Sequence, residues 1–294
     1  MLFEAVLCLW NYGYGMADRL LIVCVFLYFP EWMVIFLDLS LYPMIFKRKS
    51  FHLFRGVGNE TLTEFELDEI YSAYNSFIPL IPDIKTEIKI VPSSETTCRR
   101  GQEYCILLYS EKKDNYLSNI GYLGQQLDLY LVSRNIGTLW FGIGKVEESF
   151  YQGLDYVIMI AIHKISDPTK YRKDMFKSKR KSVKEIWMGS EITGVTDIVR
   201  FAPSACNTQP WIVENHGTSL SVYRYKKQGV RGIMPASLVS YYNRIDMGIF
   251  LYLLDICMEK EGISYSKKLH LDLGENVERT LLAEYYLKSG DASL

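Results

Sequence analysis

A basic tetrapeptide that occurs twice is the feature that most restricts how this chain can fold. Lys47-Arg48-Lys49-Ser50 recurs unchanged at residues 179–182, 132 residues further along. A second match follows in the same order, because the apolar stretch that begins at Ile120 resembles the one that begins at Ile245, and each has an early glycine. Self-similarity at a fixed spacing indicates a repeated structural unit. The two matches together predict a chain made of two related halves.

Length and composition exclude several classes of protein. The 294 residues suffice for one large domain or two of ordinary size. The 33 Lys and Arg residues balance 34 Asp and Glu residues, which gives no electrostatic case for binding nucleic acid. The six cysteines form no Cys-x-x-Cys pair and the four histidines lack zinc-site spacing, so we expect no metal site. Free thiols in a reducing compartment, the cytoplasm, are the expectation.

An apolar N-terminal segment suggests a membrane location as the alternative. Residues 20–46 are mostly apolar, but two acidic residues and two prolines interrupt them, namely Glu31, Asp38, Pro30 and Pro43. Acidic residues are costly at the bilayer centre, and the prolines leave pieces too short to span it. Two hypotheses follow: residues 1–43 anchor the chain, or they are upstream sequence and the protein begins at Met44. Any membrane contact is expected through residues 20–46 alone.

The apolar pattern after Met44 predicts an α+β fold, a mixed central sheet flanked by helices. Thr63 and Glu66 form a capping-box pattern ahead of an amphipathic helix. A long helix is predicted from Ile120 to a point before Gly137. Alternation of polar and apolar residues predicts a strand at residues 87–91, and apolar runs predict strands at residues 104–109 and 157–165. This order of elements favours helices packed on a sheet, with halves at residues 44–178 and 179–294.

The segment with the most distinctive chemistry is Arg200–Trp211, RFAPSACNTQPW, predicted to follow a helix marked by Ile192, Val195 and Val199. Two prolines stiffen its backbone, and four of the six positions from 204 to 209 carry short polar side chains: Ser204, Asn207, Thr208 and Gln209. Such a loop suits a planar polar ligand that needs hydrogen-bond donors and acceptors. A turn that satisfies only its own backbone groups is the alternative.

Residues 202–211 are similar to the A-P-S-x-x-N-x-Q-P-W signature of the nitroreductase family of FMN-dependent oxidoreductases. Arg48-x-Ser50 resembles the family's opening R-x-S-x-R, and NIGTLWFG at residues 135–142 resembles its G-x-G-T-x-W stretch. The resemblance covers roughly residues 45–263. It looks most like a fused branch of the family, in which one polypeptide carries both halves of what is usually a homodimer. This implies a nitroreductase-like fold, a pseudo-dimer that is a monomer in solution.

The resemblance also implies a site for FMN between the halves. Its cofactor-binding residues would be Arg48, Ser50, His52, Gly137, Thr138, Ser204, Asn207, Gln209 and Arg180. His52 stands where the family usually places a second basic residue. The flavin would pass hydride from NADH or NADPH to a nitro, quinone or similar small molecule, so no catalytic side chain is required. The alternative is a flavin-binding protein without turnover.

The chain departs from the family pattern in ways that imply one flavin per chain. Residues 76–84, SFIPLIPDI, stand where the first half should carry its own copy of the polar loop, but they have none of the polar residues of the signature. Glu261–Ser264, EGIS, stands where the second half should carry the G-T-x-W run. Cys206 is expected to be a small packed side chain. Trp140 and Trp211 are expected to fill the core rather than to contact the flavin ring.

Overall fold

Two five-stranded sheets form the framework of the fold, where the sequence predicted one central sheet. The computed structural model describes residues 37–225, 234–273 and 278–288. The first sheet contains β1 (Thr86–Pro92), β2 (Tyr104–Ser110), β3 (Ile136–Phe141), β4 (Phe150–Tyr151) and β5 (Leu154–Lys164). Its strands are ordered β1-β2-β5-β3, β4 pairs with β5, and all pairs are antiparallel. The strands predicted at residues 87–91, 104–109 and 157–165 are confirmed as β1, β2 and β5.

The second sheet is built from the C-terminal part of the chain and is mixed. It contains β6 (Trp187–Met188), β7 (Trp211–Asn215), β8 (Ser219–Tyr225), β9 (Tyr265–Leu269) and β10 (Arg279–Leu287). Its order is β6-β7-β8-β10-β9. The β6–β7 pair is parallel and the others are antiparallel. The overall class is therefore α+β, as predicted.

Six α-helices accompany the sheets in the described ranges: α1 (Met44–Lys47), α2 (Glu64–Ser76), α3 (Tyr116–Ser133), α4 (Val183–Ile186), α5 (Thr196–Val199) and α6 (Val239–Lys260). The capping box that predicted α2 is present, because Glu66 N donates to Thr63 Oγ1 at 3.2 Å and Thr63 N donates to Glu66 Oε2 at 3.0 Å. The helix predicted before the polar loop is wrong in length. Only one turn, α5, forms there, because Gly194 has a φ of +74° and interrupts the helical backbone.

The long helices α3 and α6 touch through their backbones. A side chain at Gly121 of α3 would overlap the carbonyl oxygen of Ile245, and one at Gly248 of α6 would overlap the carbonyl oxygen of Ser118. The contact is reciprocal: Ser118 and Gly121 of α3 lie 127 positions before Ile245 and Gly248 of α6. Almost every residue of the two helices is buried. The pair therefore forms the centre of the main hydrophobic core.

Residues 37–46, the end of the apolar N-terminal segment, pack into the same core. Leu37, Leu41 and Ile45 are buried, and Leu37 N donates to the Glu259 carboxylate of α6 at 3.1 and 3.2 Å. A start at Met44 would remove two of these core leucines, so the boundary predicted after residue 43 does not coincide with a break in packing. Residues 20–36 lie outside the described part of the chain. Within the described ranges, no helix is both long enough and apolar enough to cross a bilayer.

Gly248→Ala is expected to destabilise the protein by about 1–3 kcal/mol, because its methyl group would be forced against the backbone of α3. The free energy of unfolding in urea measures the loss. Gly121→Ala should cost a similar amount, since the contact is reciprocal. Ser72→Ala, at an exposed position of α2, is the control and should change stability by less than about 0.5 kcal/mol. Equal stability of Gly248→Ala and Ser72→Ala would contradict the close packing.

Candidate functional site

A cavity of about 280 Å³ lies between the first sheet, α6 and the polar loop at residues 200–211. The side nearest the first sheet is formed by Arg48, Ser50, His52, Arg100, Ile158 and residues 139–143. The other side is formed by residues 203–206, Met234, Tyr242, Ile245, Asp246 and Ile249. The basic residues Arg48, His52 and Arg100 all belong to the first set, whereas most of the remaining lining is apolar. The cavity thus combines a basic part with apolar walls.

A buried carboxylate organises the basic part of the cavity. Asp128 of α3 accepts hydrogen bonds from Arg48 Nε at 2.6 Å, Thr138 Oγ1 at 2.6 Å and Trp140 Nε1 at 2.9 Å. Arg48 is also nearly buried, and its NH2 group donates to Ser50 Oγ at 3.2 Å. A buried ion pair is favourable only when such additional hydrogen bonds satisfy its remaining groups. Asp128 therefore holds Arg48 and Trp140, two lining residues, in fixed orientations.

Further arginines give this region an excess of positive charge. Burial, followed by the charges of Arg172, Arg48 and Arg200, lowers the pKa of Arg180 to about 10. Burial and the nearby charge of Arg48 also lower the pKa of Arg172. Arg100 lies over the Phe141 ring, 5.6 Å from its centroid, and lines the cavity directly. Partly desolvated guanidinium groups that repel one another favour the binding of an anion.

The polar loop supplies the opposite wall through a strained backbone. Cys206, Asn207 and Gln209 all have positive φ angles, of 50°, 56° and 50°. Such conformations cost energy for residues other than glycine and persist only where surrounding contacts hold them. Ser204 Oγ accepts a hydrogen bond from Gln209 N at 3.0 Å, and Ala205 N donates to Asp246 Oδ1 at 2.9 Å. The loop is therefore held from within and from α6.

Two of the loop residues expected to bind the cofactor are bonded to the segment around residue 180 instead. Asn207 Oδ1 accepts from Arg180 at 2.9 Å, and Asn207 Nδ2 donates to the Lys179 carbonyl at 3.3 Å. Gln209 Oε1 accepts from Lys181 N at 2.8 Å. None of the three side chains of Asn207, Gln209 and Arg180 is among the groups that line the cavity. Their part in holding a cofactor stays a prediction.

Gly137 and Thr138 lie in strand β3, behind the cavity lining. A side chain at Gly137 would come within 2.8 Å of Ile165, so this glycine allows close packing of β3. The Thr138 carbonyl accepts from Phe51 N at 2.9 Å, which attaches the segment that follows Ser50 to β3. Of the residues predicted from the sequence, the structure brings together four in the cavity lining: Arg48, Ser50, His52 and Ser204. A cofactor contact by Gly137 or Thr138 stays a prediction.

Several lining residues were not expected from the sequence. Arg100, Asp246 and Tyr242 line the cavity, and Asp128 supports it from behind. Asp128 and Asp246 are acidic residues within long, mostly apolar helices, and this is the signal in the sequence that could have indicated them. Cys206 is exposed and lines the cavity, so its expected role as a packed side chain is wrong.

The two tryptophans differ in their surroundings. Trp211 is a core residue as expected, stacked on Phe250 with ring centroids 4.8 Å apart. Trp140 is half-buried, packs against the core and also lines the cavity. The expectation that it only fills the core is therefore incomplete.

One known family matches most of the chain. Residues 40–257 match the family described as "Putative TM nitroreductase". Among solved structures, a "putative nitroreductase" of Thermotoga maritima is similar, with 19% identity and a TM-score of 0.54 over 84% of this chain and 92% of that one. No curated protein matches the chain significantly.

Shorter solved structures match about half of the chain. A putative NADH dehydrogenase/NAD(P)H nitroreductase of Bacteroides thetaiotaomicron has 13% identity and a TM-score of 0.38 over 50% of this chain and 95% of that one. A putative nitroreductase of Desulfovibrio desulfuricans in complex with FMN has 12% identity and a TM-score of 0.35 over 52% and 97%.

Asp128→Asn is expected to reduce the free energy of unfolding by about 3–5 kcal/mol, the usual cost of leaving a buried charge, here Arg48, without its partner. Denaturation in urea is the measurement. Asp155→Asn is the matched control, because Asp155 pairs with Lys112 at 2.7 Å on the surface and its loss should cost less than about 1 kcal/mol. A loss no larger for Asp128→Asn than for the control would show that Asp128 does not hold the cavity together.

Proposed function

The chain belongs to this nitroreductase family, and we propose on that premise that it is an FMN-dependent oxidoreductase. It would pass hydride from NADH or NADPH through the flavin to a nitro, quinone or similar small acceptor. The single observation that carries the proposal is the cavity, with its basic part beside Arg48 and its apolar walls. FMN has the matching chemistry, a phosphate joined to a flat, largely apolar ring system.

The basic part of the cavity fits a phosphate group. Arginine side chains bind phosphate oxygens through charge-assisted hydrogen bonds. Arg48 uses its Nε for Asp128 and is thereby oriented, while Ser50, His52 and Arg100 line the same region. The mutual repulsion of the neighbouring arginines would be relieved by a dianion. These groups would therefore hold the phosphate of FMN.

The remaining lining fits a planar ring. Leu139, Trp140 and Phe141 of β3 and Ile245 and Ile249 of α6 supply apolar surface. Ligand sites typically combine such surface with a few polar groups that fix orientation. The hydroxyl of Ser204 and the backbone of the loop supply polar groups. We infer that these residues exclude water from the ring and orient it.

The bound flavin would supply the hydride transfer itself. The chain would bind and position the two reactants, and no side chain is assigned an acid, base or nucleophilic role in that transfer. Asp128 would act indirectly, by fixing Arg48 and Trp140. Turnover would require that the nicotinamide and the acceptor each reach the bound flavin.

The contacts around α3 and α6 support the proposal that the chain arose by duplication and is a monomeric pseudo-dimer. Asn119 Oδ1 accepts from Ile81 N at 2.9 Å, and Asp246 Oδ1 accepts from Ala205 N at 2.9 Å. Asn119 and Asp246 have the spacing of the reciprocal glycines. Residues 76–84 would then be the counterpart of the polar loop, without its polar side chains.

The same correspondence favours one FMN per chain. The counterpart of Asp128 is Asp255, which is buried and accepts from Tyr122 OH at 2.8 Å, Tyr285 OH at 2.7 Å and Lys267 Nζ at 2.5 Å. Side chains of the protein satisfy this second carboxylate, whereas Asp128 orients an arginine that lines a cavity. We infer that the second site was filled in by its own side chains.

The proposed location is the cytoplasm. The four cysteines of the described residues are free thiols, which is the usual state of cysteines in a reducing compartment. An anchor formed by the apolar N-terminal segment would instead keep the same activity at a membrane surface. Fractionation of the full-length protein distinguishes the two locations.

FMN titrated into the cofactor-free protein is expected to saturate near one equivalent per chain. The loaded protein should oxidise NADH or NADPH over many cycles when a nitroaromatic or quinone acceptor is present. The two measurements are flavin fluorescence and the loss of nicotinamide absorbance. Saturation at two equivalents would contradict the single site. Tight binding of FMN without repeated turnover would instead favour a flavin-binding protein without enzymatic activity.

Arg48→Ala should weaken FMN far more than riboflavin, which lacks the phosphate. Loss of a charge-assisted hydrogen bond costs about 1.5–3 kcal/mol, or roughly tenfold to 150-fold in Kd. Fluorescence titration of both ligands gives the ratio, and melting of the flavin-free variants separates folding from binding. Arg55→Ala, at an exposed arginine outside the cavity lining, is the control and should leave both ligands unchanged. Equal losses for the two ligands would show that Arg48 does not hold the phosphate.

A further inference from the structure

Asp246 is an acidic residue in an unusual position. It lies on α6, lines the cavity and is only 3% exposed. Its Oδ1 accepts a hydrogen bond from Ala205 N at 2.9 Å, and Ala205 belongs to the loop that forms the cavity wall. The side chain therefore connects the central helix to the wall of the proposed flavin site.

The chain contains an internal comparison for this contact. Asn119 of α3 makes the same hydrogen bond to Ile81 N, also at 2.9 Å. An amide is therefore sufficient to hold such a loop from the helix. In addition, Asp246 Oδ2 has no hydrogen-bond partner in the described structure. A buried carboxylate with one oxygen unsatisfied is costly, whereas the protonated carboxyl is not charged.

Burial raises the pKa of Asp246 to about 8, while the Ala205 N–H and the nearby Thr208 hydroxyl act in the opposite direction. The hydroxyl of Thr208 donates to Asn243 Oδ1 at 3.3 Å. Other titratable or charged groups that face the cavity are Arg48, His52, Arg100, Cys206 and Tyr242. Burial raises the pKa of Tyr242 above its usual value of 10, so this tyrosine stays neutral in the range of interest.

We propose that Asp246, in its neutral form, is a positioning residue for the wall at Ser204–Cys206 and that its ionisation weakens flavin binding. The inference rests on the proposed function. Loss of the proton would leave a buried charge directly behind the wall, with no hydrogen-bond partner at Oδ2 among the described residues. The wall would then have to move to hydrate the carboxylate. An amide at this position would keep the hydrogen bond to Ala205 and would not titrate.

The first part of the test uses the flavin-free protein. An acid whose pKa is higher in the folded state contributes stability that is fully present below its unfolded pKa, near 4, and is lost as pH rises toward its folded pKa. Asp246→Asn should therefore gain stability relative to wild type between pH 5 and pH 8, measured as the difference in Tm. Asp197→Asn, at an exposed acid of α5, is the control and should show a constant difference.

The second part measures riboflavin binding by fluorescence at pH 6 and pH 9. Riboflavin is used because it carries no phosphate, which removes the effect of His52 on phosphate binding. About a tenth of a group with a pKa near 8 stays protonated at pH 9, so the wild-type Kd should rise up to about tenfold. Asp246→Asn should bind equally well at both pH values.

The outcomes separate the inference from the proposed function. A pH dependence that is the same in wild type and Asp246→Asn overturns the inference, and so does a Tm difference that stays constant with pH. Failure of Asp246→Asn to fold would also overturn it, because the contact would then require the carboxylate. If wild type binds neither FMN nor riboflavin at any pH, the proposed function is wrong, while the Tm series still decides whether Asp246 is neutral.

Discussion

The close approach of α3 and α6 is the constraint on which the rest of the structure depends. Gly121 and Gly248 allow the two helix backbones to touch, and no other residue fits at either position without moving a backbone. This contact fixes where each helix presents its buried polar residues. Asp128 of α3 faces β3 and Arg48, while Asp246 of α6 faces the polar loop. The cavity is the space that remains between these two sets of contacts.

Buried carboxylates have different uses on the two sides of the helix pair. Asp128 orients an arginine and a tryptophan that line a cavity, whereas Asp255 is enclosed by Tyr122, Tyr285 and Lys267. The cost of burying each charge is offset by several hydrogen bonds in both cases. The difference lies in whether the partner still presents free donors to a ligand. That difference supports the proposal of one flavin per chain.

Local features were predictable from the sequence, because their causes are local. The capping box of Thr63 and Glu66 predicts the start of α2, and the apolar patterns predict β1, β2 and β5. The loop at Ser204 was recognised from its own composition. The helix expected before that loop failed at Gly194, whose positive φ interrupts it. The sequence similarity aligns Ile120 of α3 with Ile245 of α6, whereas the helix contact aligns Gly121 with Gly248. The two alignments differ by two residues.

The residues that complete the site depend on tertiary packing and could not be found in the same way. Arg100 reaches the cavity from a loop between β1 and β2, far in sequence from Arg48. Asn207 has the position that the family signature requires, yet its side chain is bonded to Arg180 and Lys179. A motif specifies residue types at a spacing. It does not specify which neighbouring group takes each hydrogen bond.

A crystal structure of the full chain grown with FMN tests the central claim most directly. We expect one flavin per chain, with its phosphate beside Arg48 and Ser50 and its ring between Trp140 and the loop at Ser204. Flavin bound elsewhere on the chain, or a ring placed beside Asp255, would contradict it.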